Sequence, residues 1–271
     1  MRFIGPIWKT LAVAGAYLVL TPLLHKGLAP LIPRATLTGA PHMPVLLAVI
    51  LVQAAGLVGA FHLLRGALPA RRGWAKGLWF MAFFLLAVQI PTVFGVIAFD
   101  PFAWVLFNPA KINDYWTLAI DVVAFGAAGA LMGALFPSPT ARPLPPAPRL
   151  AMAAGALVFP LALWAFEHAI TARLPLPPLV PAGVDPRWFD IALFGPFSLT
   201  GLALPWLLAA TRRGPLYATG VFALCWLPVQ NFMVAFGWDW RGGLAFSLVS
   251  LLPIYLVLLL ARALGIRPAS G

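Results

Sequence analysis

Residues 43–64 read MPVLLAVILVQAAGLVGAFHLL, a run without Asp, Glu, Lys or Arg whose polar side chains are Gln53 and His62. A helix of about 20 residues, rising about 1.5 Å per residue, crosses the hydrocarbon of a bilayer. This stretch therefore reads as a transmembrane helix. The residues that follow, RGALPARRGW at 65–74, form a basic, proline-containing turn, and another apolar run begins beyond them. Outward in both directions the alternation repeats. Candidate spans cover approximately 7–26, 43–64, 76–98, 116–136, 150–170, 188–210, 216–237 and 243–263. The expected fold class is all-α, a polytopic membrane protein with eight transmembrane helices.

Composition points the same way. Of 271 residues, 62% are hydrophobic and 9% charged, with a mean hydropathy of +0.94. Soluble domains are roughly 45–50% apolar and about 25% charged. A soluble globule would have more apolar residues than interior positions, and disordered chains are poor in apolar residues. Both classes are excluded.

The net charge is +11, from 18 Lys and Arg against 7 Asp and Glu. In a soluble protein that excess would suggest nucleic acid. Here no basic helix with interleaved aromatics lies outside the apolar runs, so no nucleic-acid partner is expected. The cations read instead as anchors of cytoplasmic loops. With a cytoplasmic N-terminus, 12 of them (Arg2, Lys9, Arg65, Arg71, Arg72, Lys76, Arg142, Arg149, Arg212, Arg213, Arg262 and Arg267) fall inside and 6 outside. The expected location is a bacterial-type inner membrane, with both termini cytoplasmic. Trp8, Trp74, Trp79, Trp104, Trp116, Trp188, Trp238 and Trp240 fall where an interfacial belt belongs. Met1, Arg2 and Lys9 before an apolar stretch look like a signal peptide. Apolar segments continue to the C-terminus, so the stretch reads as an uncleaved first span. Cys225 is the single cysteine, so neither an intramolecular disulfide nor a multi-cysteine metal site is expected.

Two words recur at one offset. RRG occurs at 71–73 and 212–214, and LxVQxxxV at 86–93 and 227–234. The shift predicts a parallel 4+4 helix repeat: residues 1–136 form one unit, 137–149 a cytoplasmic proline-rich linker and 150–271 the second unit. Units of four helices share an orientation, as in parallel-repeat carriers.

Polar residues within spans are costly in lipid and mark candidate sites. Gln89 and Gln230 are matched by the repeat, and each has a neighbouring proline, Pro91 and Pro228. A proline inside a helix frees a carbonyl. Two kinked helices, each with an amide, can hold substrate at the interface between repeats, or the amides can simply join helices. Asn231 beside Gln230 is a further binding candidate. Asp121 and Glu167 are the carboxyls placed within spans, and His168 follows Glu167. A carboxyl in apolar surroundings can act as a general acid. Glu167 or Asp121 would be catalytic, with His168 as relay; water-exposed interfacial positions and interhelical bonds are the plainer alternatives. Trp164 and Phe194 would wall a lipophilic substrate. His25, His42 and His168 fall on the outer side but form no ligand pair on one helix face, so no metal or other cofactor is expected.

Known patterns are not met. EHAITAR at 167–173 has one glutamate, and no histidine follows His168, unlike the prenyl-protein endopeptidase pattern. The last span lacks the lysine of a retinal protein. Three functional readings remain. The first is an enzyme using acid/base chemistry on a lipid or isoprenoid-like substrate from the outer leaflet. The second is a secondary transporter with its site between repeats, and the third a non-catalytic subunit of a membrane complex. Expected partners are membrane lipid, a lipophilic small molecule, and a membrane-protein partner or a second copy.

Overall fold

The computed structural model describes residues 4–28, 42–92, 109–136, 149–171, 186–211, 213–231 and 240–266. Proline and glycine set several helix ends. α1 spans Ile4–Leu28 and α2 Met43–Leu64, where Pro44 fills the first turn, a position that needs no N–H. α3 starts at Gly73 after an extended Arg72, runs to Phe84, and continues through a π-turn at Leu85–Gln89 to Thr92. α4 covers Pro109–Leu135, α5 Arg149–Thr171 and α6 Pro186–Thr211. α7 spans Pro215–Gln230, again with proline in its first turn. α8 (Trp240–Val249) and α9 (Leu251–Ala263) are separated by Ser250 alone. Gly265, at φ 104°, ends α9: its N–H donates to the Arg262 carbonyl and that of Ile266 to the Ala261 carbonyl. That pair of bonds is a Schellman cap, and a left-handed residue there costs glycine little.

The described residues thus form an all-helical chain of eight rods, α8 and α9 making the last. Four stretches are long and apolar enough to cross a membrane: Met43–Leu64, Gly73–Thr92, Arg149–Phe166 and Phe194–Thr211. These apolar helices are compatible with a multi-pass membrane protein. Leu150, Leu157 and Leu161 form an exposed stripe on α5, and Leu216 on α7 is 75% exposed. Lipid, unlike water, solvates such a face at no cost.

Two boundary expectations change. The last rod is not one continuous helix: Pro253 has no N–H for the Val249 carbonyl, and the helix breaks at the residue between α8 and α9. α3 and α4 begin earlier than expected, at Gly73 and Pro109. The expected ends of the third and seventh spans (93–98 and 232–237) and linker residues 137–148 lie outside the described residues.

α1 packs on α2 and α4, and α4 on α3. α5 packs on α6, with α9 against α5, α6 and α7. The largest contacts between these groups are α2 against α7 and the π-turn of α3 against α6. Small residues allow the closest approaches. A Cβ on Gly77 would run into the Gly129 carbonyl, and one on Gly133 into that of Gly73. Gly155 of α5 and Gly201 of α6 meet in the same way. This is how helices without a hydrophobic driving force between them gain contact in lipid. Trp226 is fully buried on α7 among Phe159, Phe197 and Phe222, ring centroids 5.6–6.4 Å away.

Candidate functional site: a buried polar seam

Pro91 shapes the site. It cannot donate to the Ala87 carbonyl, and the preceding turn widens so that the Ile90 N–H reaches the Leu85 carbonyl, five residues back. The Thr200 hydroxyl of α6 donates to the released Ala87 carbonyl at 2.8 Å. One turn on, Thr92 donates to the Val88 carbonyl at 2.7 Å and accepts from Gln230 Nε2 at 2.8 Å. π-turns inside helices often mark functional positions, because they turn side chains out of the regular register.

Asp121 of α4 is 8% exposed. Its Oδ1 accepts from the Tyr17 hydroxyl of α1 at 3.1 Å, and its Oδ2 from Gln89 Nε2 at 3.5 Å. Tyr17 is stacked on Phe125 at 4.5 Å, and Phe84 meets Phe125 edge-on at 5.3 Å, so aromatic rings enclose the carboxylate's neighbourhood. Gln89 Oε1 is buried and finds no hydrogen-bond partner among the described residues, and neither does the hydroxyl of Thr21, one turn from Tyr17. A cavity of about 20 Å³ lies against Tyr17 and the buried Gln53. It has room for about one water molecule.

Beyond Gln230 the polar contacts continue. Asn231 Nδ2 donates to the Leu227 carbonyl and to Ser247 Oγ, both at 2.8 Å. Trp226 Nε1 donates to Ser250 Oγ at 2.6 Å, and Ser250 Oγ to the Ser247 carbonyl at 2.8 Å. The second proline, Pro228, leaves the Leu224 carbonyl without its helical donor. That carbonyl is turned onto Gly56 of α2, where the absent side chain lets the backbones meet.

The structure therefore joins Asp121 to Gln89, and brings Gln230 to Thr92, one turn beyond Gln89. Asn231 turns to Ser247. The other expected residues lie on the α5–α6 pair. The Nδ1–H of exposed His168 donates to the Trp164 carbonyl at 2.9 Å, and the two rings lie 4.5 Å apart. Phe194 is half-buried on α6, its carbonyl accepting from Ser198 at 2.6 Å. Glu167 is on α5, with its side chain outside the described residues. The side chain of His25 lies outside them too, and His42 is exposed at the start of α2. Sequence reasoning did not single out Tyr17, Thr92, Thr200, Ser247 or Ser250. Thr92 was the most accessible of these, a hydroxyl one residue after the span's proline.

Comparison with family models, curated proteins and solved structures finds no match to this chain.

Proposed function

We propose that the chain is a proton-coupled secondary transporter, with Asp121 as the proton-binding group and Gln89 and Gln230 beside the solute path. The carrying observation is the Asp121–Gln89 contact, which puts an ionisable group at the level of the amides. Intramembrane carboxylates facing a bundle interior serve proton relays and ion pathways. A proton suits this site better than a metal cation, since Tyr17 and Gln89 both direct hydrogens at the carboxylate. Protonated Asp121 would become a donor itself, and a half-turn of the Gln89 amide would then present Oε1, the atom without a partner, to accept from it. The exchange of these two arrangements is the proposed coupling step.

The parallel 4+4 repeat belongs to the same reading. Its support is the paired cross-contact: α2 meets α7 as α6 meets α3, and each contact sits at a carbonyl released by proline. Orientation with both termini cytoplasmic, in a bacterial-type inner membrane, follows from the cation distribution.

A second reading is acid/base catalysis on a lipophilic substrate by Asp121, Glu167 and His168. The Trp164–His168 ring pair, with centroids 4.5 Å apart, favours it. One experiment separates the two. A panel of small polar solutes and isoprenoid-like lipids is screened for thermal stabilisation of the purified protein. Hits are then added to proteoliposomes that enclose a pH dye, and the products are analysed by mass spectrometry. Transport predicts lumenal acidification on solute addition, abolished by Asp121→Asn, with the solute unchanged. A chemically altered lipid without acidification would replace transport by catalysis.

A further inference from the structure

At the other end of α1 and α2, a cleft of about 660 Å³ opens between them. Its rim carries Lys9, His62 and Arg65, and its lining contains no acidic side chain among the described residues. Lys9 is held in position rather than dangling. Its Nζ donates to the Leu135 carbonyl at 2.8 Å, at the C-terminal end of α4 where the helix dipole favours a cation, and it stands 5.3 Å over the Phe136 ring. An ammonium has three donors, so that bond does not exhaust it. The Arg65 backbone is fixed as well, its N–H donating to the Phe61 carbonyl at 2.7 Å.

Below the rim the character changes. The cleft follows α2 from Arg65 down to Gly59 and Ala55, ten positions or about 15 Å of helix. Small residues there make a groove with an apolar floor at Val58. Exposed Trp8 and Trp74, on α1 and α3, mark the same edge as an interfacial level.

The geometry points to a binding site for an anionic phospholipid, with its phosphate between Lys9 and Arg65 and one acyl chain along the Ala55–Gly59 groove. A soluble anion would use the rim alone and leave the groove unexplained. Basic pockets between helices at one membrane face are the expected form of such sites. The cleft shares no side chain with the Asp121 site, so this proposal and the transport reading stand or fall separately.

The test titrates the full-length protein, in neutral detergent, with phosphatidylglycerol, phosphatidylcholine of the same chains, glycerol phosphate and inorganic phosphate, and follows the melting temperature. Phosphatidylglycerol should stabilise saturably, at concentrations at least about tenfold below phosphatidylcholine, from about five-fold for each of two cations. Glycerol phosphate and inorganic phosphate should have no effect in that range. Arg65→Gln should weaken the phosphatidylglycerol response about five-fold, whereas Arg213→Gln, at the same edge but outside the cleft, should not change it. Ala55→Phe, at an exposed position the fold tolerates, keeps both cations but obstructs the groove and should weaken the response too. Equal responses to the two phospholipids would overturn the proposal. So would an Arg65→Gln effect no larger than that of Arg213→Gln, unchanged binding in Ala55→Phe, or full stabilisation by glycerol phosphate or inorganic phosphate.

Discussion

Asp121 and Thr200 are polar side chains in an apolar interior, and they call for different tests. Thr200 is structural: its hydroxyl closes the bond that Pro91 removed from α3. Thr200→Val keeps the shape and removes the donor, leaving the Ala87 carbonyl buried without a partner. The expected loss is about 1–3 kcal/mol, read as a lower melting temperature in detergent. A neutral result would mean that the π-turn relaxes to satisfy the carbonyl itself. Asp121→Asn keeps the size and, once the Gln89 amide turns over so that its Oε1 accepts from the new Nδ2, keeps a hydrogen bond to both Tyr17 and Gln89, but it removes the exchangeable proton. It should change the unfolding free energy by no more than about 1 kcal/mol, the net worth of one hydrogen bond, because the isosteric side chain keeps its partners, while solute-driven proton movement disappears. Asp121 stood out in the sequence because a lone carboxyl in an apolar run is conspicuous. Tyr17 did not, since a tyrosine in a span reads equally well as a belt residue. Its role depends on α1 lying against α4, a contact between residues about 100 positions apart that no local pattern encodes.

At the scale of elements, the apolar runs located the helices, because length and hydropathy are local properties of the chain. The departures within helices have prolines behind them. Pro91 yields a π-turn instead of a simple kink, Pro253 splits the last rod, and Pro228 leaves the Leu224 carbonyl to lie against Gly56 of α2. A proline announces a broken bond, but the released carbonyl's partner comes from another helix, so the outcome is settled by packing. Glycine contacts are equally non-local: Gly73 and Gly77 on α3 matter because Gly129 and Gly133 on α4 face them. Gly129→Leu should therefore force α3 and α4 apart and abolish detergent-stable monodisperse protein. The same change at Gly126, where a Cβ meets nothing within 4 Å, should be tolerated. Size-exclusion chromatography of the two variants decides this, and equal behaviour would remove the small-residue seam as the basis of that packing.

For the molecule as a whole, the quantity that orders the rest is the direction in which the bundle crosses the bilayer. In the proposed orientation the edge with the surplus of cations faces the cytoplasm, and both the proton site's access and the leaflet of the lipid cleft follow from it. α2 offers a clean test because both of its flanks are described: His42 is exposed before it and Arg71 after it. Cys225 is buried, and replacing it with alanine leaves a background without native thiols. In that background His42→Cys should react with a membrane-impermeant maleimide in intact cells. Arg71→Cys should react only once the inner face is opened, for example in inverted vesicles. Reversed labelling would turn the molecule over and move the Lys9–Arg65 cleft to the outer leaflet. Labelling of both sites from one side would mean that α2 does not cross the bilayer, and the apolar stripe on α5 and exposed Leu216 on α7 would then need a protein partner in place of lipid.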